Sequence, residues 1–258
     1  MKTIAIVNHK GGVAKTTTAS NVASLLSDYK RVLAIDLDAQ CNLTKSFIIE
    51  PYEQSVFDLF LGRQCNPIIN VKKNFDILPA SIDLSGLDTM LGAKLEKERI
   101  LADILKEIES RDLYDLVIID CPPSLQLATI NALVAASDMI VPVMPEFHAV
   151  SGLMDIENIY NIVKRRLNPE LNFAGLVITR FNSTKGMHTT VEKSLRASYQ
   201  SKVFDTVIRD NIKLAECPTF QKDIFTYAPK SNGAADYTAF TEEIIKRISN
   251  RQTPSTVH

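Results

Sequence analysis

The residues best suited to chemistry lie near the N-terminus, in the stretch Lys10-Gly11-Gly12-Val13-Ala14-Lys15-Thr16-Thr17. It follows an apolar run and precedes a segment with the pattern of a helix. A strand, a tight glycine-bearing loop and a helix N-terminus form a cradle for phosphate, because loop N–H groups converge there and the helix dipole favours an anion. Lys15 adds positive charge, and the Thr16 hydroxyl suits Mg²⁺. The stretch predicts a site for a nucleoside triphosphate.

Two further segments carry carboxylates at the ends of apolar runs. The run 32–35 leads into Asp36 and Asp38, and two residues spaced by one point to the same side of an extended strand. We therefore expect both to face the phosphate pocket. The run 116–119 leads into Asp120, which completes the Walker B pattern of four apolar residues and an aspartate. We expect Asp120 to lie beside the Mg²⁺, directly or through water.

Apolar runs alternate with segments of helical period along the whole chain. We predict buried strands at 4–7, 32–35, 75–78, 116–119, 139–143, 173–178 and 203–207. We predict helices at 16–26, 84–108, 131–136, 150–167, 189–199 and 237–248. This alternation predicts an α/β fold with a mostly parallel, doubly wound sheet flanked by helices. Ligands of such sheets bind at the carboxyl ends of the strands, where the glycine-bearing loop lies.

Length and composition indicate one domain. The chain has 258 residues, 45% of them hydrophobic, which suits one large α/β core, and no shift in composition marks a linker. We predict a single domain over 1–250 and a polar tail over 251–258. The N-terminus runs straight into a strand and no apolar run could span a bilayer, so we expect a cytoplasmic protein. Four scattered cysteines lack the spacing of a zinc site or disulfide frame, and we expect them in the core.

Lys10 is a second lysine that the ordinary P-loop pattern does not require. With it, the loop resembles the deviant Walker A ATPases, the family that includes the ParA/Soj partition proteins, MinD and the nitrogenase iron protein. In that family the extra lysine reaches the partner's nucleotide, so the resemblance implies an ATP-dependent homodimer. Two residues depart from the family's loop, since His9 and Ala14 stand where its first and last glycines are usual. We expect Ala14 to keep a negative φ, which alanine adopts readily.

The resemblance also implies roles for individual residues. ATP would be hydrolysed with Lys10, Lys15 and Asp38 as catalytic residues, Asp38 orienting the attacking water in the family's A′ motif. Such hydrolysis requires mainly positioning and charge neutralisation, and slow turnover follows if Lys10 is supplied only by the dimer. Mg²⁺ would be held by Thr16, Asp36 and Asp120. The implied nucleotide-binding residues are Lys10, Gly11, Gly12, Val13, Ala14, Lys15, Thr16, Thr17, Asn182 (at the adenine) and Pro218.

Charge distribution bears on nucleic-acid binding. The net charge is −1, yet the segment 180–230 holds nine Lys/Arg and only five Asp/Glu. A basic surface of this kind binds DNA phosphates without reading sequence, and an ordinary solvated face is the alternative. The resemblance to Soj-type ParA proteins covers nearly the whole chain and favours non-specific double-stranded DNA. It implies Lys185, Arg209 and Lys213 as contacts, with Lys213 at the position of a DNA-contacting arginine.

The sequence leaves several alternative functions. The first is a ParA-type ATPase that segregates plasmids or chromosomes with a ParB-like centromere-binding partner, in the cytoplasm and on the nucleoid. A MinD-like membrane-cycling ATPase would need an amphipathic C-terminal helix, whereas the tail 251–258 is polar. An iron–sulfur reductase or carrier would need suitably spaced cysteines, and none is evident. Because of Ala14, a further alternative is a dimerisation module that binds ATP and hardly hydrolyses it. We expect the first function, with no membrane partner.

Overall fold

The computed structural model describes residues 1–146 and 149–249. Eight strands in this part of the chain form one sheet in the order β3-β4-β2-β5-β1-β6-β7-β8. All neighbouring pairs are parallel except β3 and β4, which confirms the predicted α/β fold. The strands are β1 (Lys2–Ile6), β2 (Val32–Asp36), β3 (Ile69–Lys72), β4 (Phe75–Leu78), β5 (Leu116–Asp120), β6 (Asp138–Val143), β7 (Asn172–Phe181) and β8 (Val203–Arg209).

Helices connect the strands and cover the sheet. They are α1 (Lys15–Leu26), α2 (Asn42–Lys45), α3 (Val56–Phe60), α4 (Leu87–Met90), α5 (Ile100–Ser110), α6 (Leu127–Ala135), α7 (Ala149–Arg166), α8 (Gly186–Tyr199), α9 (Ile212–Glu216), α10 (Ile224–Tyr227) and α11 (Asn232–Ser249). Across residues 1–146 and 149–249, no helix combines the length and apolarity that crossing a bilayer requires. The predicted polar tail, 251–258, lies outside the described residues.

The single helix predicted over 84–108 is wrong. The chain instead forms a 3-10 turn at Ile82–Gly86, then α4, a second turn and α5. Glu96 lies between them with φ 55°, a left-handed conformation through which an α-helix cannot continue. Leu101 of the predicted apolar stripe is fully buried, but Leu95 is 89% exposed. Strand β3 was missed because its residues are only partly buried or exposed, so they form no apolar run.

Both faces of the sheet are buried, and the alternation of side chains along each strand divides them. In β1 and the residue after it, Ala5 and Val7 pack in one core, whereas Ile4 and Ile6 pack in the other. Helices α5, α6 and α7 cover the first face, and α1 and α11 cover the second. Three of the four free cysteines are buried and one is partly exposed, in line with the expected core role.

The register of three strands brings the predicted site together. Strand β5 lies between β2 and β1, and both neighbours are parallel to it. Ile6 of β1 and Asp36 of β2 are each in register with Asp120 of β5. The loop after β1 and the two strand-end aspartates therefore meet at one edge of the sheet.

Ala14 corrects a prediction made from the sequence. It has φ 66° and ψ 33°, so the expected negative φ is wrong, and the residue lies in the left-handed region. Ala14 precedes α1, and its carbonyl oxygen accepts from the Thr18 N–H at 2.9 Å as the helix begins. The left-handed turn leads the loop backbone into the helix. The methyl group of Ala14 raises the conformational energy of this turn by about 1 kcal/mol relative to glycine.

Replacement of Ala14 by glycine tests this backbone strain. We expect Ala14→Gly to raise the free energy of unfolding by up to about 1 kcal/mol, because glycine adopts a positive φ without the Cβ clash and loses part of that gain to unfolded-state entropy. Chemical denaturation of the nucleotide-free protein measures this free energy. As a control, Ala197→Gly on the exposed side of α8 should lower the free energy of unfolding by about 1 kcal/mol. A loss of stability in both variants would contradict the argument.

Candidate nucleotide site

The loop between β1 and α1 leaves open space in front of its glycines. A Cβ built on Gly11 or Gly12 would meet no atom within 4 Å. The loop is held on either side of them, since Asn8 Oδ1 accepts from the Lys10 N–H at 3.0 Å and the Val13 carbonyl accepts from Thr179 Oγ1 at 3.0 Å. The glycine backbone is thus fixed and accessible, which is the condition for binding phosphate oxygens.

Lys15 supplies the positive charge of this loop. The residue is only 7% exposed, and its Nζ donates to the Lys10 carbonyl at 2.9 Å. Burial lowers the pKa of Lys15, while the charge of Asp120 and of other nearby acidic groups opposes that effect. The ammonium group therefore lies along the inside of the loop, where a phosphate oxygen would replace the carbonyl as its partner.

Thr16 and Asp120 form the part of the site that fits a metal ion. Thr16 Oγ1 donates to Asp120 Oδ2 at 2.7 Å. Asp120 is fully buried, and its Oδ1 has no hydrogen-bond partner among the described residues. Burial raises the pKa of Asp120 well above its usual range, and the charge of Asp36 raises it further. A buried carboxylate oxygen without a donor, beside a hydroxyl, is a donor set that suits Mg²⁺.

The remaining ligands of such an ion would not come from a protein cage. In the described part of the chain, no group of three or more His, Cys, Asp or Glu side chains could hold a metal ion. Mg²⁺ typically keeps several waters and is bound by one or two protein groups together with substrate phosphates. Thr16 and Asp120 match that arrangement, with a nucleotide supplying the phosphate oxygens.

The two aspartates after β2 differ in their surroundings. Asp36 is fully buried and accepts three hydrogen bonds, from the Asp38 N–H at 3.0 Å and from the N–H and Oγ1 of Thr44 at 2.9 and 2.8 Å. Burial raises the pKa of Asp36 to about 6, although the Thr44 hydrogen bonds oppose the shift. Asp38 is only partly buried, and its Oδ1 accepts from the Gln40 N–H at 3.0 Å. Asp36 thus orders the loop that carries Asp38.

A cavity of about 650 Å³ opens in front of the loop, a size that suits a nucleotide. Among the residues described, Asp38 lines it and neither Asp36 nor Asp120 does, so the expectation that both aspartates after β2 face the pocket holds for Asp38 alone. The metal role of Asp36 stays a prediction. The lining residues are Gly11, Gly12, Ala14, Lys15, Thr16, Thr17, Asp38, Gln40, Asn42, Pro123, Arg180, Ile208, Arg209, Asp210, Asn211, Ile212, Leu214, Ala215 and Tyr237.

Four predicted nucleotide contacts, Lys10, Val13, Asn182 and Pro218, lie apart from that lining. None of the four is among the described residues that line the cavity. Asn182 Oδ1 accepts instead from the N–H and Oγ1 of Thr184 at 2.9 and 2.7 Å, and Pro218 lies in a 3-10 turn after α9. Their roles at the nucleotide stay predictions.

Sequence reasoning missed several cavity residues. Arg180 occurs at the carboxyl end of β7, so its position relative to a strand end was a usable signal. Tyr237 belongs to α11, and its hydroxyl lies 3.2 Å from Thr18 Oγ1 of α1. Nothing in the sequence near Tyr237 indicates this contact, because 219 residues separate the two partners.

The three candidate DNA contacts lie on different elements. Lys185 is exposed at the start of α8. Arg209 ends β8 and binds Asp236 of α11 through Nε and a terminal nitrogen, the latter at 2.6 Å, which raises the pKa of Arg209. Lys213 of α9 donates to Glu216 at 2.9 Å. Both basic residues with acidic partners keep nearly half of their side-chain surface exposed.

Comparison with known proteins agrees with this geometry. A family model described as an AAA domain matches residues 1–173. The chromosome-partitioning ATPase Soj of Thermus thermophilus is 39% identical, with 96% of this chain and 97% of that protein covered. The chromosome partitioning protein ParA of Caulobacter vibrioides is 35% identical, with 98% and 97% covered.

A solved structure has a similar fold over nearly the whole chain. A cobyrinic acid a,c-diamide synthase from Mycobacterium smegmatis, with bound ATP analog and magnesium, superposes with a TM-score of 0.83 at 31% identity, and 96% of each chain is covered. The predicted family and ATPase class are confirmed, and the ligands of that neighbour are those expected for this site. The chain belongs to the ParA/Soj family of partition ATPases.

Proposed function

We propose that this ATPase binds ATP with Mg²⁺, closes into a face-to-face dimer, and as a dimer binds DNA without sequence preference. A ParB-like centromere-binding partner would stimulate hydrolysis, and the cycle would segregate a plasmid or chromosome in the cytoplasm, on the nucleoid. The observation that carries the proposal is the arrangement of Lys15 and the Thr16–Asp120 pair around one open phosphate loop.

The residues of one subunit account for nucleotide binding. The backbone of Gly11 and Gly12 would bind phosphate oxygens, and Lys15 would exchange the Lys10 carbonyl for a phosphate. Thr16 and Asp120 would hold Mg²⁺, which neutralises phosphate charge when bound. Asp38 lines the cavity and would orient water for in-line attack.

A second subunit would give Lys10 its role in hydrolysis. Both glycines of the loop are exposed, so the phosphate site of one subunit faces outward and is accessible to a second subunit. A lysine from the partner would add charge at the γ-phosphate, where the transition state of phosphoryl transfer needs it. Hydrolysis would then depend on the dimer.

Replacement of Asp38 tests catalysis. We expect Asp38→Ala to lower phosphate release, measured with DNA and the cognate partner, by about a hundredfold or more, since a positioned acid–base group contributes at least that much. ATP binding should persist, because the phosphate loop is intact. The matched control is Asp103→Ala on α5, where the carboxylate is 68% exposed and the rate should stay at the wild-type level. Equal release by wild type and Asp38→Ala would exclude this catalytic role.

Measurement of oligomeric mass tests the dimer. We expect a dimer with ATP and Mg²⁺ and a single subunit with ADP, because only the triphosphate offers the γ-phosphate to the partner's lysine. Lys10→Ala should stay a single subunit with ATP and keep its melting temperature, whereas Lys30→Ala, an exposed lysine beyond the end of α1, should dimerise normally. A wild-type protein that remains a single subunit at saturating ATP and Mg²⁺ would overturn the proposal.

Charge reversal at Lys213 tests DNA binding. We expect Lys213→Glu to weaken binding of the ATP-bound protein to DNA of any sequence, and to reduce the slope of log affinity against log salt by about one, as for a lost phosphate contact. Lys106→Glu is the control, since this exposed lysine lies on α5, across the sheet from α9. The idea fails if Lys213→Glu binds like wild type in a gel shift with ATP.

A further inference from the structure

The side chain of Lys10 lies against the first turn of α7 in its own subunit. A Cβ built on Gly152 would be 2.9 Å from Lys10 Cε and 3.4 Å from Lys10 Nζ. The same Cβ would be 3.3 Å from His9 Cε1. The two separations between carbon atoms, 2.9 and 3.3 Å, are shorter than ordinary van der Waals contacts. The absence of a side chain at residue 152 therefore leaves the space that this position of Lys10 requires.

The backbone of Lys10 is fixed while this contact is made. Asn8 accepts from the Lys10 N–H at 3.0 Å and donates to the Pro142 carbonyl at 2.7 Å, which ties the loop to β6. Lys15 Nζ donates to the Lys10 carbonyl at 2.9 Å. These hydrogen bonds hold the Lys10 backbone in the nucleotide-free protein, and rotation of the Lys10 side chain can move its ammonium group without breaking them.

The space around the lysine is nearly filled. A cavity of about 10 Å³ remains between the phosphate loop and the start of α7, with Lys10, Val143 and Gly152 among its lining residues. Lys10 is partly buried, although it belongs to a loop whose glycines are exposed. The Lys10 side chain thus fills most of the space between the phosphate loop and Gly152 of its own subunit.

We propose that Gly152 is a positioning residue that lets Lys10 dock on its own α7, in competition with the reach of that lysine to a partner's nucleotide. This inference rests on the proposed function, because it assigns a second position to the lysine that would act in trans. The docked position lowers the apparent affinity of the ATP-dependent dimer, since each subunit must release its lysine first. Release of Lys10 from α7 is therefore a conformational step before dimer closure.

The size of the effect depends on how often the docked position is occupied. When the docked position is occupied roughly nine-tenths of the time, the competent position is reduced to a tenth, and the apparent Kd rises about tenfold for each lysine. Gly152→Ala would place a Cβ 2.9 Å from Lys10 Cε and so disfavour the docked position. The nearest atoms are the end of a flexible side chain, and alanine is a better helix former than glycine, so the variant should fold.

The first experiment measures access to Lys10 without nucleotide. Nucleotide-free protein is treated with limiting acetyl N-hydroxysuccinimide ester, and acetylation of Lys10 is followed by mass spectrometry against exposed Lys30 of the same chain. We expect Lys10 to react about tenfold faster in Gly152→Ala than in wild type. Gly186→Ala is the matched control, because its added Cβ at the start of α8 would meet nothing within 4 Å. Equal rates in all three proteins would overturn the docked position.

The second experiment measures dimerisation with ATP and Mg²⁺ by analytical ultracentrifugation. We expect Gly152→Ala to dimerise at about hundredfold lower protein concentration, because each of the two lysines contributes about tenfold, and Gly186→Ala to match wild type. Unchanged or weaker dimerisation of Gly152→Ala overturns the proposal, even when Lys10 is acetylated faster.

The two experiments separate this inference from the proposed function. A wild-type protein that never dimerises with ATP refutes the proposed function, while the acetylation rates still decide whether Lys10 docks on α7. A wild-type protein that dimerises normally, with Gly152→Ala indistinguishable from Gly186→Ala in both measurements, refutes the docking of Lys10 alone.

Discussion

The position of β5 between β1 and β2 is the constraint on which the site depends. It places Asp120 in register with Asp36 on one side and Ile6 on the other, directly below the loop that begins after β1. Two carboxylates are thereby buried next to each other, and the charge of Asp36 raises the pKa of Asp120. Thr16 and Lys15 oppose that effect at Asp120. A divalent cation would oppose it further, so the arrangement is suited to a metal-bound phosphate.

The two aspartates after β2 have different roles at this edge of the sheet. Asp36 is the last residue of the strand, and its oxygens are taken up by the Asp38 N–H and by Thr44. Thr44 in turn accepts from the Ala80 N–H at 3.1 Å, which links this loop to the end of β4. Asp38 is held by its backbone and keeps its carboxylate at the cavity. One aspartate therefore fixes the geometry of the other.

The phosphate loop shows how a local motif depends on distant contacts. Lys10 is held by Asn8 and Lys15 within the loop, but its side chain lies where a glycine of α7 leaves room. Val13 is held by Thr179 at the end of β7. Ala14 takes a left-handed conformation that glycine would adopt at lower cost. The loop thus owes its shape to β7 and α7 as well as to its own residues.

The sequence alone determined the features that depend on neighbouring residues. Two lysines around a glycine pair, aspartates at the ends of apolar runs and the alternation of strands with helices predict the fold and the phosphate site, because each signal occupies one short segment. Only the tertiary structure decided which aspartate faces the cavity, how Arg209 is paired with Asp236 and where the chain turns between Leu84 and Ile108. The φ of Ala14 and the approach of Tyr237 to Thr18 also belong to this group. These features arise from packing between segments far apart in sequence. The residues of one short segment therefore do not predict them.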